Sequence, residues 1–329
     1  MVQFPIMQIP KTLQQAVQYF SSYENCKEFM VAIRWPDGNV RCPQCGSEKV
    51  AYLERARRWK CYQKHGSPKF TLKTGTIFED SPLGLDKWLP CVWLLTNCKN
   101  GISSWEIHRA LGVTQKTAWF MLHRVRLAMQ SGSLGKLGGE VEVDETFIGG
   151  KARFMHKDRK ERRRSGKGKA PGPEGKAIVA AVLQRGGKVR AQVVGKRKKK
   201  ELHALVRENV EAGSALYSDD LRSYDGLEAD YAHQVIDHAE AYVRGNVHTN
   251  GLENFWSLLK RGLHGTYVSV EPFHLFRYID EQAFRYNERQ DEQGDSGRFV
   301  SVMSQIVGRR LTWNRLTGKQ PDHRPTLLN

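Results

Sequence analysis

In "VEVDETFIGGK" (141–151), Val141 and Val143 alternate with Glu142 and Asp144. This is the period of two expected of a strand that lays one face on a core. Similar strand-like runs are "KFTLKT", "AIVAAVLQ", "KVRAQVVG" and "ALYSDD". Elsewhere the apolar positions recur at helical spacing. Residues 11–31 carry Val17, Phe20 and Phe29 in that rhythm, and "WPDG" at 35–38 ends the unit in a turn. From Leu85 to Met129 the pattern is helical, with breaks near Gly101 and Gly112. "KKKELHALVRENV", "GLENFWSLLKRG" and "EPFHLFRYIDEQAFRYNER" read as further helices. The alternation of strands and helices over 140–290 predicts one α/β domain. The pattern divides the chain into a helical segment (1–38), a cysteine- and aromatic-bearing module (39–80), a helical region (81–130), the α/β domain (140–290) and a tail (291–329). "SGSLGKLGG" at 131–139 reads as a flexible joint, and residues 151–176, rich in Lys, Arg and Gly, as a basic loop inserted in the α/β domain.

Charge narrows the choice of partner. The 329 residues carry a formal net charge of +17 and a pI near 9.7. Such an excess suits a polyanion, and nucleic acid before a membrane surface, because no apolar run reaches spanning length. The opening "MVQFPIMQIPKTLQQ" lacks a basic stretch followed by an apolar block, so no signal peptide is expected. A soluble, cytoplasmic protein is the expectation.

Six cysteines include one close pair, Cys42 and Cys45, in "CPQCGS". "CYQKH" adds Cys61 and His65. Two close pairs of N/S ligands about fifteen residues apart match a structural tetrahedral zinc site. A module this short has too little core to close unaided, which also favours a bound metal. The second pair departs from the commoner C-x2-C. Cys91 and Cys98 fall seven apart on an apolar helix and read as core.

"SSWEIHRALGVTQKTAWFMLHRVRLAM" (103–129) has the rhythm of a helix–turn–helix, with Ser103 or Ser104 capping the first helix, Gly112 turning the chain and Thr114 capping the second. Gln115 and Lys116 then open the helix that would enter a groove of DNA. An ordinary helical hairpin shares the pattern. Lys198, Lys199 and Arg261 are further candidates for DNA contact.

Two later segments bear on the acids of the opening strand. "ALYSDDLRSYDGL" (215–227) is a short strand ending in Asp219 and Asp220. "HTNGLENFWSLLKRGLHGTYVS" (248–269) opens a helix with Glu253 and places Lys260 two turns later on the same face. Three acids converging at one end of an α/β sheet would suit Mg²⁺ or Mn²⁺, two ions of which can serve phosphodiester chemistry. Each acid also has a local explanation: Asn250-x-x-Glu253 fits a capping box, and Asp219 and Asp220 fit a turn.

Taken with "RWPDGNVRCPQCGS", "KTGTIFEDSPLGLDKWL" and the segment order, these stretches resemble bacterial insertion-sequence transposases of the DDE superfamily that carry an N-terminal zinc ribbon. The resemblance covers nearly the whole chain. It implies an RNase H-like catalytic domain after the zinc ribbon and helix–turn–helix, with Asp144 on the first strand, Asp219 after the fourth and Glu253 on a following helix as ligands of two divalent metals. It implies that Lys260 contacts DNA. Asp220 competes with Asp219, and Asn250 and Asn254 compete with Glu253. The implied activity is binding of terminal inverted repeats, metal-dependent strand cleavage and strand transfer into double-stranded target DNA, by a homodimer or larger assembly associated with the nucleoid. A domesticated regulator that binds without cutting, or a nuclease that cuts without joining, would share most of these features.

Overall fold

The computed structural model describes residues 9–130, 135–149, 176–236 and 248–319, together with Asp158 and Glu161. Apart from those two acids and Lys176, the basic segment 151–176 lies outside the described residues. The chain forms two compact units, one from residues 1–130 and 288–329 and one from residues 131–287.

The first unit opens with α1 (Leu13–Phe20) and α2 (Tyr23–Arg34), whose starts are fixed by Thr12 and Ser22 accepting from the backbone N–H of Gln15 and Asn25. A three-stranded antiparallel sheet follows, made of β1 (Val50–Leu53), β2 (Arg58–Cys61) and β3 (Lys69–Phe70). Then come α3 (Leu85–Asn97), α4 (Ser104–Leu111) and α5 (Gln115–Ala128). Ser103 and Glu106 close a capping box on α4, Gly112 turns the chain at φ 61°, and Thr114 caps α5 by accepting from Thr117 N–H. Ile107, Val113, Ala118 and Leu122 are buried beneath this pair, whereas Leu111 is only half-buried.

The segment read as a tail is folded as far as residue 319. Its helices, Asp295–Ser304 and Trp313–Leu316, belong to the first unit. Phe299 lies 5.4 Å from the Phe29 ring and 5.2 Å from that of Trp93. The N-terminal helices need these distant aromatics to complete their core, a pairing that local periodicity does not reveal.

The second unit is a five-stranded sheet of β4 (Glu140–Ile148), β5 (Ala177–Gln184), β6 (Val189–Val194), β7 (Ala215–Asp219) and β8 (Ala232–Ile236), in the spatial order β6-β5-β4-β7-β8. The first three strands are antiparallel, and β7 and β8 run parallel to β4. Helix α6 (Lys199–Asn209) connects β6 to β7, while α7 (Asn250–Arg261) and α8 (Leu275–Asn287) follow β8. The alternation of β4 and β5 sorts side chains into two cores. Val141, Val143, Ala180 and Val182 pack with Leu202 and Val206 of α6. Val179, Ala181 and Leu183 pack with Leu252, Phe255 and Trp256 of α7. Because β5 is buried on both faces, "AIVAAVLQ" is apolar without interruption.

Candidate active site and metal centre

β4 is the middle strand of its sheet, so its acids cannot be a solvated edge. Asp144 lies at its centre, on the α7 face. Its Oδ2 accepts from Trp256 Nε1 at 2.8 Å, and its Oδ1 accepts from the backbone N–H of Glu145 at 2.7 Å. Burial lifts the Asp144 carboxyl to about 7, against the Trp256 hydrogen bond, with the neighbouring charges of Glu145 and Asp219 adding to the rise. On the parallel neighbour, Glu142 pairs with Tyr217; continuing that register sets Asp219 beside Asp144. Tyr217 and Glu142 share a face, since Arg185 bonds Glu142 while its guanidinium lies 4.1 Å from the Tyr217 ring centroid. Asp219, two residues on from Tyr217, therefore joins Asp144 on that face.

Glu145 points to the α6 face. It accepts from Tyr224 OH at 2.7 Å and pairs with Arg197 at 3.1 Å. Burial raises its carboxyl too, and Asp219 adds to the effect, while the Tyr224 and Arg197 contacts act the other way.

Glu142 does more than its distance from Asp144 suggests. Its side chain is 1% exposed, pairs with Arg185 Nε at 3.1 Å and accepts the backbone N–H of Leu252 at 2.9 Å. That N–H belongs to the first turn of α7, whose preceding residue Thr249 makes no side-chain cap. A carboxylate from the sheet thus satisfies and anchors a helix start 110 residues away. Arg185 in turn donates to the carbonyl of His248 at 2.8 Å. Gly251 permits the close approach: a Cβ there would lie 2.8 Å from Glu142 Oε2 and 3.0 Å from Leu183 Cδ2.

Glu253 occupies the first turn of α7 and is exposed, as are Asn250 and Asn254. Lys260 is half-buried in the last turn and Arg261 exposed. The structure therefore brings Asp144 and Asp219 together and ties α7 to Asp144 through Trp256. Among the described residues it does not draw Glu253 into a tight cluster with them, since the cysteine–histidine quartet is the single group of three or more metal-ligand side chains gathered that closely. Sequence reasoning missed Trp256, Arg185 and the anchoring part of Glu142. The apolar stripe Leu252, Phe255, Trp256, Leu259 of "GLENFWSLL" was the available signal for Trp256.

In the first unit, ligand atoms of Cys42, Cys45, Cys61 and His65 all lie within 4.8 Å of one another. Cys45 Sγ and Cys61 Sγ are 3.7 Å apart, and Cys42 Sγ is 3.5 Å from His65 Nε2. Bonds of about 2.3 Å to a tetrahedral centre give sulfur–sulfur edges of about 3.8 Å. Burial raises the Cys42 thiol, but hydrogen bonds from Gln44 and Cys45 outweigh it and the net shift is downward, whereas burial and the neighbouring Cys45 and Cys42 thiols hold Cys61 up.

The DNA-contact candidates are placed differently from one another. Gln115 donates to Ser104 Oγ at 2.8 Å and so ties α5 to α4. Lys116 is exposed, with its ammonium 4.5 Å from the Trp313 ring centroid. Lys198 and Lys199 are exposed at the start of α6.

Residues 136–287, almost the whole second unit, match the ISXO2-like transposase domain family. Residues 21–63 match the transposase zinc-ribbon domain and include three of the four quartet ligands. Together the matches take in more than half of the chain. The chain belongs to the insertion-sequence transposases with an N-terminal zinc ribbon. Curated relatives agree with this transposase assignment. An "uncharacterized protein in transposable element ISH50" of Halobacterium salinarum is 28% identical over 254 residues, covering 75% of this chain and 85% of that relative. An "uncharacterized transposase-like protein" of Haemophilus influenzae is 29% identical over 121 residues, covering 36% of this chain and 94% of the relative. No helix among the described residues of the transposase is long and apolar enough to cross a membrane.

Proposed function

We propose that this transposase binds the ends of its own element, cleaves the phosphodiester backbone and transfers the freed strands to target DNA. The observation that carries the reading is the register that sets Asp144 of the central strand β4 beside Asp219 at the end of the adjacent strand β7, on the sheet face that packs against the helix bearing Glu253. The sheet order, with three antiparallel strands and two more parallel to the first, supports an RNase H-like catalytic domain. The helical pair α4–α5 supports a helix–turn–helix role, with Lys116, Lys198, Lys199 and Arg261 contributing phosphate contacts.

The donor set fits hard divalent cations. Crowding of Asp144 by the charges of Glu145 and Asp219 leaves a half-buried group of carboxyls that a cation would neutralise. Asp144 and Asp219, joined by Glu253, would hold Mg²⁺ or Mn²⁺, which when bound activates an attacking oxygen and offsets charge on the leaving one. Trp256 orients Asp144, and Glu142 holds the helix start that presents Glu253. Lys260, two turns beyond Glu253, would contact the DNA backbone. Cys42, Cys45, Cys61 and His65 fit a structural Zn²⁺, which would stabilise the small sheet β1–β3. Assembly as a homodimer or larger complex would bring two element ends together.

The test substrate is the DNA flanking the gene, searched for short inverted repeats. Asp144→Asn should bind that DNA within about twofold of wild type and lose Mg²⁺-dependent cleavage by more than a hundredfold, a barrier change above about 2.7 kcal/mol. Undiminished cleavage by Asp144→Asn would remove the catalytic assignment. Repeat-specific binding by a wild-type protein that never cuts would favour the regulator reading.

A further inference from the structure

The connection from α7 to α8 joins a widened turn to a residue in the left-handed region. α7 runs out through a widened turn, in which Tyr267 N–H donates to the Gly262 carbonyl at 3.1 Å, an i→i+5 bond. Immediately afterwards Val268 sits at φ 61°, the left-handed region that a β-branched side chain resists. It is the single non-glycine residue of the second unit with a positive φ among those described. Its side chain is nevertheless 76% exposed, and Phe273, five residues on, is 48% exposed. These two and Val235 are the exposed large apolar side chains of the described second unit.

The loop is held from behind. Tyr267 hydrogen-bonds the fully buried Glu281, which also pairs with Arg285, and the Tyr267 ring lies edge-on to Tyr278 at 4.7 Å. A fixed and strained backbone that displays apolar side chains to water is an arrangement kept for a partner. The flanking charge says which partner. Lys260 and Arg261 lead into the loop, His264 lies on it, and Glu271 is the single acid between residues 260 and 274.

The geometry points to a DNA wedge: Val268 and Phe273 enter the duplex beside the phosphates bound by Lys260 and Arg261 and unstack a base step there. This rests on the proposed DNA-cleaving function and deepens it, because a locally opened duplex presents its backbone more freely to the acids. Apolar side chains that part base steps while neighbouring cations hold the phosphates are an established mode of duplex deformation.

The test compares duplexes of about 30 base pairs, fully paired or with a central two-base mismatch flanked by 2-aminopurine, under metal-free conditions. A wedge binds the mismatched duplex more tightly, because the unstacking has already been done. Wild type should prefer it about tenfold and raise the 2-aminopurine fluorescence of the paired duplex on binding. Val268→Gly keeps the loop conformation, since glycine accepts a positive φ without strain, and removes the side chain. Val268→Gly and Phe273→Ala should each cut the preference to about twofold or less, with an unchanged salt dependence because the phosphate contacts remain. Equal binding of both duplexes by wild type would overturn the wedge while leaving the DNA-binding reading intact. Retention of the full preference by both variants would also overturn it, and if light scattering then showed weakened self-association, the loop would be assigned to pairing of two copies. A wild-type protein that bound neither duplex would remove the DNA reading and the wedge together.

Discussion

Asp144 has an ordinary carboxyl but an unusual setting. Its folded-state value of about 7 stands well above the roughly 4 of an unfolded aspartate. A raised value means that the folded protein holds the proton more tightly than the unfolded chain does. The resulting stability is fully present below about pH 4 and is lost as the pH rises through 7. Burial is the main cause, and Glu145, raised for the same reason, acts in the same direction. The metal-free transposase should therefore lose thermal stability between pH 5 and pH 8, with a ceiling for Asp144 on the order of 4 kcal/mol. Asp144→Asn should flatten that slope, and Mg²⁺ should raise the wild-type melting temperature more at pH 8 than at pH 5. Trp256 opposes the shift by donating to the ionised carboxylate. Trp256→Phe should accordingly move the cleavage–pH profile of the wild type upward while DNA binding persists. A profile unmoved by that substitution would show that the indole does not set the charge state of Asp144.

At the scale of elements, the decisive contact is the one between the Glu142 carboxylate and the first turn of α7. Helix propensity alone says that Gly251→Ala should stabilise, by up to about 1 kcal/mol. The new methyl, however, would fall 2.8 Å from Glu142 Oε2 and 3.0 Å from Leu183 Cδ2, inside a packed interface. Displacing the helix start or breaking the Leu252 hydrogen bond costs about 1–3 kcal/mol, so the clash wins. Denaturant unfolding should show net destabilisation of about 1–2 kcal/mol, and a more stable variant would mean that α7 is not pinned there. The strands themselves were legible, because alternation in "VEVDE" and the double-sided burial of "AIVAAVLQ" are local signals. So were the caps at Ser103 and Thr114 and the turn at Gly112. Glu142 was not legible as an anchor: its partners at Arg185, His248 and Leu252 come from other elements, and "HTNGLEN" read by itself suggests a self-contained capping box. Gln115 shows the reverse, a residue placed well by pattern whose amide the fold engages with Ser104. Of the candidate site, the acids of the two strands could be read from sequence; the reach of Glu253 towards them could not, because it depends on how α7 is set on the sheet.

At the scale of the whole molecule, the chain builds one unit from its two ends and a second from the residues between. Each has its own core: aromatic rings of Phe20, Phe29, Trp93 and Phe299 in the first, and the two faces of the five-stranded sheet in the second. Separate cores predict separate unfolding steps, and a metal held only in the first unit should act on one of them. The tryptophans make the test direct. Seven of the eight lie in the first unit, and Trp256 alone lies in the second. Intrinsic fluorescence therefore follows the unit that holds the cysteine–histidine quartet, while far-ultraviolet circular dichroism follows both. A strong chelator, or Cys42→Ser, should lower the fluorescence transition and leave a later dichroism step in place, since the Asp144 sheet does not depend on the quartet. Mg²⁺ should move the later step instead. If fluorescence and dichroism fell together and both shifted with the chelator, the units would be unfolding as one body, and the quartet would be supporting the catalytic sheet as well as its own small one.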